Sequence, residues 1–208
     1  MIYSRLLSFL LCLFFAQSCK KDESVLDKHT FSENKSPVYS KPQLDTTDVV
    51  SLIPEGVKNI LDQKYPRWKV VLITSGDKND GYSNYLISDF DADGHEDIAL
   101  HIGHVTNHEE VRWTAIAFLK RGGTYEDYYL SAVHLGKDRS WLDKPSGTVL
   151  RLIQKGESTS NWDEWNKEAD APSVKIYDKA SISVVTLDKA SVSFEWDGSG
   201  FTRIITGD

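Results

Sequence analysis

One stretch near the middle of the chain concentrates the side chains best suited to chemistry: Ser88-Asp89-Phe90-Asp91-Ala92-Asp93-Gly94-His95-Glu96-Asp97-Ile98-Ala99-Leu100. Counted from Asp89, aspartates stand at positions 1, 3, 5 and 9 and a glycine at position 6. A hard cation takes about six to eight oxygens at about 2.3–2.6 Å. Alternate side chains of a tight loop converge on one point, and a glycine at the sixth position permits the bend. Asp89, Asp91, Asp93 and Asp97 are therefore the expected carboxylate ligands of a Ca2+ ion, with His95 offering its backbone carbonyl. Four carboxylates crowded without an ion repel one another, so the ion is expected to rigidify the loop and staple the fold. An EF-hand is excluded, because position 12 is Leu100 and the flanks have strand-like patterning.

Asp89-Phe-Asp-Ala-Asp-Gly-His-Glu-Asp97, followed by Ile-Ala-Leu, closely resembles the calcium loop of FG-GAP or VCBS-type repeats, which joins two strands of a β-propeller blade. A propeller needs at least four blades and the sequence holds one copy, so the resemblance implies a single blade-like unit inside another fold. Tyr65-Pro66-Arg67-Trp68 and the terminal stretch from Ser191 to Phe201 extend the likeness over about residues 52–206. There the chain resembles a family of small exported bacterial lipoproteins, which has no activity to lend.

Other constellations offer alternatives. His101, His104 and His108 suggest a zinc or copper site, against which stands the reading of solvent-exposed histidines on a connecting loop, since neither helical nor alternating geometry gathers the three rings. Asp91-Ala92-Asp93 is similar to the nucleophile loop of haloacid-dehalogenase-type phosphatases, which would make the protein a metal-dependent hydrolase. Those enzymes need Thr or Val where Gly94 and His95 stand, and a doubly wound parallel sheet around the site. Trp162 and Trp165, with Trp141, lie in segments that read as loops. If exposed and coplanar they could stack on sugar faces as a glycan platform, whereas burial as one turn of a covering helix is the plainer alternative.

The elements around these residues follow from patterning. Residues 1–18 hold one Arg and an apolar run that is too short to span roughly 30 Å of hydrocarbon, which is the pattern of a secretory signal. The run ends at Ala16-Gln17-Ser18-Cys19, which resembles a bacterial lipoprotein cleavage box with Cys19 as the lipidated residue. Several acyl chains on one cysteine give a lasting membrane anchor. The expected localisation is the bacterial outer membrane, facing the periplasm or the outside. Lys20-Lys21-Asp22-Glu23 resembles a surface-export signal and equally reads as a solvated tether. Residues 19–50 are polar and aperiodic and read as a tether, leaving 51–208 as one domain.

In that domain a helix is expected over 54–64, from Val57, Ile60 and Leu61 at helical spacing after Pro54. Strand-like patterning then covers 68–74, 83–88, 97–102, 113–120, 128–133, 148–154, 173–177, 182–187, 192–196 and 201–205. Asn79-Asp80-Gly81, Arg121-Gly122-Gly123 and Asp197-Gly198 are reversal signals favouring hairpins. The expected class is α+β: one short helix packed on a meandering, mostly antiparallel sheet with one blade-like calcium loop. With 24 Lys+Arg against 31 Asp+Glu, the chain lacks the basic field that draws in a nucleic acid. The expected function is that of a lipid-anchored binding module for a protein or glycan partner, stabilised by one calcium ion.

Overall fold

The computed structural model describes residues 49–207, so the expected signal segment, Cys19 and nearly all of the expected tether lie outside the described residues. Two sequential meanders dominate. The first comprises β1 (Lys69–Val70), β2 (Tyr85–Ser88), β3 (Asp97–Val105), β4 (Val111–Arg121) and β5 (Thr124–Gly136), all paired antiparallel, with β1 and β2 sharing one edge of β3 end to end. The second has the order β11-β10-β9-β6, from β6 (Thr148–Ile153), β9 (Ser181–Thr186), β10 (Ala190–Trp196) and β11 (Phe201–Gly207). A two-stranded ribbon of β7 (Ser158–Asn166) and β8 (Ala171–Ile176) is inserted between β6 and β9.

These sheets pack face to face. Alternation places Ala99 of β3 with Ala115, Ala117 and Leu119 of β4 on one face, where they meet Leu150, Ile182, Val184, Phe194 and Trp196 of the second sheet. Small residues on one side opposite large ones on the other let the layers interdigitate. The opposite face of the first sheet, with Ile98, Leu100, Ile102, Ile116 and Phe118, is covered by α2 (Glu55–Lys64) through Val57 and Leu61, preceded by α1 (Val49–Leu52). Burying those two side chains stabilises by about 1.5–3 kcal/mol each. Covered on both faces, β3 is buried along its whole length, which makes it a rigid platform for the loop that enters it.

The α+β expectation is overturned. About 53% of the structure is strand and 15% helical, so the protein is β-rich, with three small α-helices serving as covers and connectors. The sequence patterning suggested one meander, but between β5 and β6 the chain passes through a 3₁₀ helix (Arg139–Asp143) and changes sheet. Each sheet then buries one face against the other, and a helix of ten residues can cover only part of one remaining face.

Two expected reversals form as hairpin turns: Gly122 and Gly123, both at positive φ, join β4 to β5, and Asp197-Gly198 joins β10 to β11. The third does not. Thr74 accepts from Asp77 N–H and Asp77 accepts from Thr74 N–H, a capping box that winds residues 75–79 into α3 (Ser75–Asn79) before Gly81 turns the chain.

Candidate metal site

The loop from Asp89 to Glu96 is the connection of the β2–β3 hairpin, whose ladder closes at the pair Ser88 and Asp97. Two residues give it its curl: Ala92 at φ 63° and Gly94 at φ 89°, both left-handed. Glycine adopts this conformation freely, whereas at Ala92 it costs about 1–2 kcal/mol that the loop's hydrogen bonds must offset. Asp89 accepts from Asp93 N–H at 3.0 Å and Gly94 N–H at 2.9 Å, Asp91 accepts from Asp93 N–H at 3.2 Å, and Asp93 accepts from His95 N–H at 2.9 Å. Each aspartate thus folds the loop back on itself.

Asp97 has a different task. It is fully buried, and its two oxygens accept from Phe90 N–H at 2.9 Å and from Lys120 N–H at 2.8 Å. One carboxylate therefore ties the start of the loop to the end of β4. Burial pushes its pKa above the usual carboxylate range and the charge of nearby Asp91 adds to this, while the backbone donors oppose both.

Asp89, Asp91 and Asp97 each place a carboxylate oxygen within 4.8 Å of the other two, and this group could hold a metal ion. Asp93 and His95 share the loop but contribute no side-chain atom to that group, both being exposed and Asp93 turned onto the His95 amide. Arg121, which the sequence reading passed over, donates from Nη2 to Asp91 at 3.1 Å and sits over the Trp196 ring at 4.8 Å. Its charge partly offsets the carboxylate repulsion. Arg121 lies far along the chain, at the end of β4, and only the pairing of β3 with β4 brings it to the loop.

The alternative constellations fare differently. His101 and His104 are not exposed loop residues: β3 runs on to Val105, and they are 1% and 7% exposed. Three positions apart on a strand, they face opposite sides, His104 edge-on to Tyr65 with its Nε2 3.0 Å from Thr114 Oγ1. Burial holds the His101 pKa down at about 4 and lowers that of His104 as well. His95 and His108 are exposed, and among the described residues no histidine joins a metal-binding group. For the phosphatase reading, Asp91 has only 6% of its side chain exposed, and every strand pairing among the described residues is antiparallel.

Trp162 and Trp165 lie on β7 and are 44% and 43% exposed. A spacing of three would place them on opposite faces of a regular strand. The register shift between Asn161 and Trp165 brings the rings together, 5.2 Å apart and tilted by 42°, so the pair is exposed but not coplanar. Trp141 is elsewhere, on the 3₁₀ helix, edge-on to Trp113 with Lys144 over its ring. Comparison with known proteins adds no relative: no protein family, curated protein or solved structure matches this chain.

Proposed function

We propose that this chain is a lipid-anchored protein of the bacterial cell envelope, held at the outer membrane through Cys19, whose β-rich domain is stapled by one calcium ion and serves as a binding module. The observation carrying the metal part is the convergence of Asp89, Asp91 and Asp97. Three carboxylate oxygens within 4.8 Å of one another are close enough to share one cation, and a calcium ion with ligands at about 2.4 Å is among those that could be held this way. An all-oxygen set favours a hard cation over zinc or copper, which prefer nitrogen or sulfur.

The site's position supports a structural role. A cation there ties the β2–β3 turn to the buried Asp97 and, through Lys120, to β4. The nearly buried Asp91, engaged by Arg121, offers little access to a substrate, which favours binding over catalysis. Anchoring rests on the Ser18-Cys19 box. Among the described residues no helix is long and apolar enough to cross a membrane. Two tests apply. Cys19→Ser should release the protein from the membrane fraction and abolish incorporation of labelled palmitate. Chelation should lower the melting temperature of the wild type but not of an Asp89→Asn, Asp91→Asn double variant. Membrane retention without Cys19 would remove the anchor, and equal melting with and without chelator would remove the staple.

A further inference from the structure

The ribbon of β7 and β8 folds back over the outer face of the second sheet, and no residue of the aspartate loop lines the space between them. At one end this cover is closed: Tyr177 fills the space with Ile153 and Ile204, its hydroxyl bonded to Ser193 and to Thr159, and Lys175 pairs with Glu195 at 2.5 Å. Beside that closure, where Ser158, Thr159 and Ser160 of β7 face the turn between β9 and β10, a cleft of about 590 Å³ opens. That size lies in the range of about 300–1,000 Å³ typical of small-ligand sites.

The lining is unusual for such a site. Of its fifteen residues, eight carry hydroxyls, among them Ser158, Ser160, Ser183, Thr186 and Thr206, and only Ile153, Val185 and Ala190 are aliphatic. The hydroxyls of Ser158, Ser160, Ser183 and Thr186 meet no hydrogen-bond partner among the described residues. Strand alternation accounts for Ser183: Ile182 and Val184 turn inward to the core, so Ser183 points outward.

Charge narrows the ligand class. Arg151 is already met by Glu157 at 2.8 Å, and the lining carries the carboxylate of Asp188 as well as Lys189, so the cleft is not the cluster of cations that would select a phosphate. An apolar ligand would strand the hydroxyls away from water and leave each of them unsatisfied. A polyol, by contrast, offers each of them a donor and an acceptor. The aromatic surface that sugar C–H faces prefer is also at hand: Trp162, 44% exposed, lies against Gly207, a lining residue, so closely that a β-carbon there would overlap its indole.

We propose that this cleft is a carbohydrate-binding site, taking a neutral oligosaccharide whose hydroxyls bond the serine and threonine row of β7 and β9 and whose ring face rests on Trp162. The site is separate from the aspartate loop and does not depend on its metal.

The test is titration of the full chain with cellohexaose, xylohexaose, laminarihexaose, maltohexaose and trigalacturonate, followed by tryptophan fluorescence and calorimetry. A saturable response to at least one neutral oligosaccharide is expected. It should weaken by about tenfold or more in Trp162→Ala, the loss of one aromatic contact, and vanish in Ser160→Phe, which fills the cleft from the exposed strand β7. Circular dichroism establishes that both variants are folded. Asp91→Asn should leave the affinity unchanged. The proposal is overturned if no neutral oligosaccharide binds, if only the charged trigalacturonate does, or if binding survives both cleft variants. Binding lost in Asp91→Asn would place the sugar at the loop and would equally overturn it.

Discussion

Replacing Asp97 by alanine is the sharpest perturbation of the β2–β3 turn. The residue is fully buried and its oxygens are the acceptors for two amides, Phe90 N–H at 2.9 Å and Lys120 N–H at 2.8 Å. Alanine leaves both donors buried without a partner, at about 1–3 kcal/mol each, so the native state should lose about 4 kcal/mol. With a urea dependence of about 2 kcal/mol per molar, the unfolding midpoint should fall by about 2 M. Asp97→Asn keeps one acceptor and removes the cost of burying a charge, so its loss should be about half as large. The decisive feature is the response to chelator. Because the clamp acts through backbone donors, the alanine variant should be destabilised in chelator as well as in calcium. In the Asp89→Asn, Asp91→Asn double variant, whose side chains lie at the outer part of the loop, most of the loss should appear only when calcium is present. An unchanged midpoint for Asp97→Ala in chelator would refute the clamp and leave Asp97 as a metal ligand alone.

Acidification should weaken the fold through His101. The unfolded chain takes up its proton near pH 6.5 and the native state only near pH 4, so between these values the unfolded state binds more protons and stability falls as the pH falls. At about 1.4 kcal/mol per pH unit this amounts to about 3 kcal/mol by pH 4. The lowered pKa of His104 acts in the same direction, while the raised pKa of Asp97 acts in the opposite one. Urea midpoints recorded from pH 7 to pH 4 should therefore show a shallower decline in His101→Leu than in the wild type, and parallel profiles would count against a buried neutral imidazole. Gly207→Ala should expel the Trp162 indole and strain a backbone held at φ 76°, lowering stability by about 1–3 kcal/mol and shifting tryptophan emission to longer wavelength. Unaltered emission would mean that the ring does not rest there.

The parts of the molecule legible in the sequence are those fixed by local chemistry. The aspartate spacing and Gly94 announce a curled acidic turn, and the structure forms one that brings Asp89, Asp91 and Asp97 together. Helix α2 follows from Val57, Ile60 and Leu61, and the β4–β5 and β10–β11 hairpins follow from their glycines. The unread parts depend on partners distant in the chain. Strand alternation says which residues share a face but not which sheet a strand joins, so the division into two layers was hidden, and with it the β-rich class. His101 and His104 look like loop residues until β3 is seen to be covered on both sides. Strand β7 reads as a loop because all its residues but Trp162 and Trp165 are polar, and it holds its form by pairing with β8 and by Asp163 accepting from Ile205 N–H at 3.0 Å. The cleft had one sequence signal: the repeated Asp-Lys-Ala-Ser motifs before Ile182 and Val192 place serines at alternate positions of adjacent strands, which directs a row of hydroxyls to one face.

Calorimetric titration of calcium into the chelator-treated protein, repeated with the Asp89→Asn, Asp91→Asn double variant, decides whether the aspartate loop holds a metal staple. A stoichiometry near one is expected for the wild type, with a higher melting temperature in the loaded protein and no heat of binding in the variant. Absence of calcium binding to the wild type, or binding that the double variant retains, would contradict it.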